Sequence, residues 1–224
     1  ALKLPRSTAH RLLTTMEELQ YVEFERCSGI WAIGVQAFDV GAGYTKAQDI
    51  GHLADEGMRV LREDLQHHVN ISVLDGTSIC YVGQAALRDR QQTTVRPGAC
   101  LPMYTTAAGK AFMAHWSREK VDAFVKQRAL QPRTKRSIVD VTQLQRELDQ
   151  VREMGFALDD EEHAPGLRCV AVPVLDPDGI PRAALSISDV PRRLDRRRME
   201  SIGPILHDAA GQMSRDMGRH LLNI

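Results

Sequence analysis

Residues 159–169 read DDEEHAPGLRC, which places four carboxylates, a histidine, an arginine and a thiol within eleven positions. Several chemistries suit such a set. Asp159, His163 and Cys169 are competent ligands for a transition metal, as in a metal-dependent sensor. Asp159 and Glu161 suit an acid and base pair, which a small-molecule hydrolase or lyase would need. A structural alternative stands beside both: Asp160, Glu161 and Glu162 form a water-facing acidic loop and Cys169 is a buried strand residue, because burying unpaired carboxylates is costly. Other catalytic signatures fail on spacing. There is no G-x-S-x-G elbow for a serine nucleophile. Gly109-Lys110 resembles the end of a phosphate-binding loop, but Tyr104 stands where its first glycine belongs and Ala111 where its Ser or Thr belongs.

The elements that must position these residues follow from periodicity. HVNISVLDGTSICYVGQ is two β-rich runs joined by Asp75-Gly76, a hairpin signal. QTTVRPGACLPMYTT holds a third strand and a Pro/Gly loop, and TAAGKAFMAHW opens a helix on small residues. Helices are expected at about 118–127 and 142–154, the second closed by Gly155 at the C-cap. FALDD, then RCVAVPVLDPDGIPRAALSISD, supply three more strands, the last two linked by the turn composition Asp-Pro-Asp-Gly. A final helix from about Asp195 carries the stripe Met199, Ile202, Leu206, Ala209, Met213 and Met217. The run RRLDRRR at 192–198 reads as a solvated face at its start. About six antiparallel-rich strands with helices on their faces define an α+β domain of GAF/PAS-like element order.

The first forty residues differ in character. In LPRSTAHRLLTTMEELQYV, Ala9, Leu12, Leu13, Met16 and Leu19 form one apolar helical stripe, with Pro5 expected at the first helical position. The opposite face shows Arg6, Ser7, His10, Arg11 and Thr14, basic and hydroxyl groups able to bond phosphates and base edges. Two short alternating runs follow around a glycine-containing turn, Tyr21 to Glu25 and Ile30 to Ile33. A recognition-type helix before a hairpin is the order of winged helix-turn-helix DNA binders. An amphipathic core helix beside a hairpin fits as well. From Val35 a connecting helix is expected, with a loose joint near 41–44 and a second helix at about 47–65.

Composition narrows the class. The chain has 224 residues, 43% hydrophobic and 26% charged, with zero formal net charge, so it is neither disordered nor basic throughout. Positive charge is instead concentrated at the start: residues 1–16 hold Lys3, Arg6 and Arg11 and no acid. No apolar run approaches the roughly 20 residues of a membrane span, and no signal peptide opens the sequence. The four cysteines are far apart with no CxxC pair, which points to reduced thiols and a cytoplasmic protein.

LPRSTAHRLL, GKAFMA, DDEEHAPGLRCVAVPV and AALSIS stand together in an order and spacing that resembles the IclR-type bacterial transcription regulators over nearly the whole chain. The resemblance implies a DNA-binding regulator, not an enzyme, that requires no cofactor. It implies double-stranded operator DNA, a small organic acid effector and a homodimer or homotetramer. Three parts are implied: a winged helix-turn-helix remnant at 1–34, a linker helix at 35–46 and an effector-binding and oligomerisation domain at 47–224. The family's first helix and the start of its second lie ahead of residue 1 on this reading, so a natural chain longer at that end is expected. Arg6, Ser7, Thr8, His10 and Arg11 would meet DNA, with a wing at 26–29. Carried over position by position, the effector pocket comprises Ala107, Ala108, Asp159, Cys169, Ser186 and Ser188, with Met103 and Leu74 as apolar walls. Ala107 departs from the glycine common in glyoxylate-responsive members.

Overall fold

The computed structural model describes residues 4–48, 50–87 and 95–222, with side chains outside 42–53 and 218–222. The chain divides into two compact units, 1–49 and 50–224.

In the first unit α1 spans Arg6–Glu18, and Pro5 precedes it as the N-cap, one position earlier than the sequence suggests. The Pro5 carbonyl accepts from the Thr8 and Ala9 amides, so the ring starts the helix without joining it. Gln20 takes a positive φ of 58° and lets the Tyr21 amide bond back to Met16, which ends the helix. β1 (Val22–Glu25) and β2 (Ile30–Ile33) then pair antiparallel, Val22 against Ile33 and Glu25 against Ile30. No residue of α1 is buried, and Leu12, Met16 and Leu19 of its apolar stripe stand exposed. α2 (Val35–Gln48) runs without a break through Gly41 and Gly43, so the joint expected at 41–44 is absent. Each glycine costs a helix interior only about 1 kcal/mol relative to alanine, a weak prior that does not by itself break a helix.

The second unit is a six-stranded antiparallel sheet in the order β5-β4-β3-β8-β7-β6. Its strands are β3 (His68–Asp75), β4 (Ser78–Ala85), β5 (Cys100–Pro102), β6 (Ala157–Asp160), β7 (Arg168–Leu175) and β8 (Pro181–Asp189). The hairpin at Asp75-Gly76 forms as its composition requires, with Gly76 at φ 56°. α3 (Ile50–Leu65) and α7 (Arg196–Leu222) contribute Met58, Leu61, Met199, Ile202 and Leu206 to a core shared with Val69, Ile71, Val170, Val172, Leu185 and Ile187. The other core joins the 3₁₀ turn Met103–Thr105, α4 (Ala107–Met113), α5 (Arg118–Gln127) and α6 (Val141–Met154) to Tyr81, Cys169, Ala171 and Ala184. Side chains alternate along a strand. The large aliphatics of β7 and β8 therefore face α3 and α7, while Cys169, Ala171, Ala184, Ser186 and Ser188 face α4.

One expectation about the cysteines is overturned. Cys80 and Cys100 stand directly opposite each other on β4 and β5 and are joined as a disulfide, while Cys27 is free and exposed and Cys169 free and buried. Their 20-residue separation hid a pairing that the strand register creates.

Candidate functional site

The register of the sheet assembles the site row by row. Asp159 pairs with Cys169, Cys169 with Ser188 and Ser188 with His68, making one transverse row across four strands. The next row runs Ala157, Ala171, Ser186, Asn70 and Gln84. All of Asp159, Cys169, Ser186, Ser188 and Asn70 are buried. Hydrogen bonds fix the amide orientations. Gln84 Nε2 donates to Val95 O at 2.8 Å and to Asn70 Oδ1 at 2.7 Å, and Asn70 Nδ2 donates to Ser188 Oγ at 3.1 Å. Ser188 thus accepts from within the protein, which leaves its own proton to donate.

α4 lies over this face. Thr106 caps it, Oγ1 accepting from the Gly109 amide at 3.1 Å and donating to Pro102 O at 3.2 Å. Ala107 and Ala108 are buried in its first turn, where backbone N–H groups lack partners inside the helix. Met103 is fully buried beneath them and Leu74 is half-buried at the edge of the same core. Gly109 is obligatory for this approach, since a Cβ there would stand 2.1 Å from Met103 O.

The acidic segment departs from the water-facing loop that sequence suggests. Glu161 takes a positive φ of 65° and turns the chain back under β6. Asp159 Oδ1 then accepts from the Glu162 and His163 amides at 2.7 and 3.2 Å. Glu162 is buried, and its Oε1 accepts from Lys110 Nζ at 2.6 Å; Glu147 on α6 accepts from the same ammonium at 2.8 Å. Asp160 sits at the end of β6 in ion pairs with Arg136 and Arg168, and Glu161 Oε2 accepts from the Gly166 amide. Two buried oxygens among the described residues accept nothing: Asp159 Oδ2 and Glu162 Oε2. The sequence reading did not find Lys110, Glu162, Asn70 or Gln84. A usable signal for Lys110 was its position as the lone charge in an otherwise apolar helix of small residues, which forces a buried counter-charge.

Electrostatics argue against nucleophilic chemistry. Burial, together with the charges of Asp159 and Glu162, pushes the Cys169 thiol well above its ordinary range, so it stays protonated. Burial lowers His163 to about 4, with Arg133 adding to the shift, and its Nδ1 lies 3.2 Å from Thr105 Oγ1. Asp159 is raised to about 7, by burial first and then by Glu162. Among the described residues no three His, Cys, Asp or Glu side chains are placed to hold one metal ion. The set Asp159, His163 and Cys169 therefore fails on geometry.

On the first unit, Arg6, Ser7, His10 and Arg11 are exposed along α1 and Thr8 is half-buried. His10 meets Trp31 of β2 edge-on with ring centres 6.4 Å apart, and Phe24 packs on the same indole. The turn at 26–29 is exposed.

A helix-plus-hairpin unit exposing Arg6 and Arg11, joined in sequence to a sheet whose buried polar rows lie beneath a short helix, has the element order of a DNA-binding regulator with a separate sensing domain. Residues 42–215 match the model of the bacterial transcriptional regulator IclR C-terminal domain, and residues 1–26 match the IclR helix-turn-helix domain. The acetate operon repressor of Salmonella typhimurium is 36% identical over 217 residues, spanning 94% of this chain and 78% of that protein. The Thermotoga maritima IclR crystal structure superposes with a TM-score of 0.83 at 26% identity, covering 96% of this chain and 87% of that one. An IclR homologue from Microbacterium hydrocarbonoxydans, complexed with 4-hydroxybenzoate, shares the fold at a TM-score of 0.84 and 22% identity, over 97% and 87% of the two chains. The chain belongs to the IclR family of bacterial transcriptional regulators, with a C-terminal effector-binding domain. Its relatives are named as repressors rather than enzymes. No helix among the described residues is long and apolar enough to cross a membrane.

Proposed function

We propose that this regulator reads operator DNA through α1 and the β1–β2 hairpin, and that a small organic acid bound beneath α4 changes its operator affinity. Arg6, Ser7, Thr8, His10 and Arg11 contact the DNA on this reading, and the turn at 26–29 is the wing. Residues 1–34 form the DNA-binding part, 35–46 the linker helix and 47–224 the effector and oligomerisation part of a homodimer or homotetramer.

The observation that carries the effector reading is Asp159 Oδ2, a fully buried carboxylate oxygen with no partner, in the same sheet row as Cys169 and Ser188. A buried orphan of this kind is costly unless something else satisfies it. A small acid does so in two places. Its carboxylate accepts from the Ser186 and Ser188 hydroxyls and the Ala107 and Ala108 amides. A hydroxyl or hydrated carbonyl at its other end donates to Asp159. Met103, Leu74 and Cys169 supply apolar wall. A thermal-shift screen of small carboxylic acids tests this directly, since a ligand at 100 times its Kd adds about 2.7 kcal/mol of stability. At least one two- to eight-carbon acid is expected to raise the melting temperature of the wild type and not of Ser186→Ala/Ser188→Ala. Equal shifts in both proteins would remove the pocket assignment.

A further inference from the structure

We propose that Cys80 and Cys100 form a thiol–disulfide exchange site for a glutathione-class thiol, and that its redox state sets how firmly the start of α4 is held over the sheet.

Among the described residues β5 is the edge of the sheet, three residues long, paired with β4 as Ser78–Pro102, Ile79–Leu101 and Cys80–Cys100. Two more backbone bonds, Tyr81 N–H to Ala99 O and Gly98 N–H to Tyr81 O, continue this short ladder, and the disulfide is its covalent fastening. The disulfide lies at the surface of the sheet edge, with Cys100 exposed and Cys80 half-buried. From Pro102 the chain enters the Met103–Thr105 turn without a linker. Pro102 O accepts from Thr106 Oγ1, and Thr106 in turn caps α4. Gly109 is seated directly on the Met103 backbone. The fastening of β5 to β4 therefore adds a restraint on the first turn of α4 to those from the core beneath it and from the Lys110 ion pairs. The consequence for effector binding rests on the pocket reading above; the exchange site and its mechanical link to α4 do not.

The chemistry balances without a bound cofactor. A glutathione thiolate attacks Sγ of exposed Cys100 and displaces the Cys80 thiolate, giving a mixed disulfide. A second glutathione attacks that bond, frees Cys100 and leaves as glutathione disulfide. Two electrons pass to the protein sulfurs and two protons are taken up. Oxidised glutathione runs the same steps in reverse.

The test needs no effector. The native protein is equilibrated in glutathione buffers from fully oxidised to fully reduced, alkylated rapidly and mapped by mass spectrometry, with amide hydrogen exchange followed at 100–110 in parallel. Native labelling is expected to rise from one cysteine, exposed Cys27, to three as Cys80 and Cys100 open together, while buried Cys169 stays unlabelled. Re-oxidation reverses it. Exchange at 100–110 speeds up several-fold on reduction, and Cys80→Ser/Cys100→Ser shows the fast exchange in every buffer. Failure of the pair to form in oxidised buffer overturns the proposal. So does a bond that glutathione leaves intact in the folded protein, or reduction that leaves exchange at 100–110 unchanged. A pocket without an effector would leave all three readouts as they are.

Discussion

Asp159 on β6 and Ser188 on β8 lie in one row of the sheet with Cys169 between them, so residues 29 positions apart in sequence face the underside of α4 together. Ser188 is oriented from behind, by Asn70 and through it by Gln84. Ser188→Ala is expected to weaken binding of whichever acid the screen identifies by about 10- to 150-fold, the worth of one hydrogen bond to a charged group. Asn70→Ala touches no ligand atom on this account. It should still weaken binding several-fold, by freeing the hydroxyl to turn away. Isothermal titration calorimetry measures both, and an Asn70→Ala protein that binds as the wild type does would remove the orienting role.

Lys110 is fully buried between Glu147 and Glu162. Burial alone would lower its pKa, but the two carboxylates outweigh that and raise it, so the ammonium stays charged. Removing one partner of a buried pair leaves the other uncompensated and costs about 3–5 kcal/mol. Lys110→Met should show that loss in urea unfolding. The double change Lys110→Met/Glu162→Leu should recover most of it. A Lys110→Met protein as stable as the wild type would contradict the pair.

Asp159 gives stability a definite pH dependence. Its folded value of about 7 lies above the unfolded value of about 3.9. The folded chain therefore keeps a proton that the unfolded chain has already released. The associated stability is fully present below pH ~4 and is lost as pH rises through 7. Asp159→Asn keeps an Oδ1 acceptor for the Glu162 and His163 amides and cannot ionise. Its stability relative to the wild type should grow with pH, reaching on the order of 4 kcal/mol above pH ~7.5, and vanish near pH 4. Unfolding titrations at several pH values follow the difference. A constant gap across the range would mean that Asp159 is an ordinary surface-like carboxylate.

Arg6 and Arg11 are exposed on α1 and are proposed to meet phosphates or base edges. Replacing both with alanine is expected to reduce the slope of log affinity against log salt by about 2, close to one unit per released phosphate contact. Fluorescence anisotropy on operator DNA at several salt concentrations reads this slope. An unaltered slope would move the DNA contacts elsewhere.

Local signals carried much of this molecule. The hairpin at Asp75-Gly76, the α6 cap at Gly155 and the period of α7 were legible because each depends on residues next to one another. The strand pair Ser186/Ser188 shared a face for the same reason. Lys110–Glu162 was not legible: the partners are 52 residues apart and meet only once α4 lies over the sheet. The Cys80–Cys100 bond is not legible either, because the register of an edge strand is invisible in sequence. The acidic run misled in the same way. Asp160, Glu161 and Glu162 look like one solvated patch, yet the positive φ at Glu161 brings Glu162 inward beside Asp159 and leaves Asp160 to Arg136 and Arg168.

Effector binding at the polar rows beneath α4 is proposed to be coupled to DNA binding by the exposed face of α1. The direct measurement is operator affinity with and without the acid found in the screen, for the wild type and for Ser186→Ala/Ser188→Ala. Coupling predicts that the acid changes the wild-type Kd for operator by about 5- to 150-fold and leaves that of the double variant unchanged. An acid that binds the wild type and leaves its operator affinity the same, or a variant that responds as strongly as the wild type, contradicts the coupling.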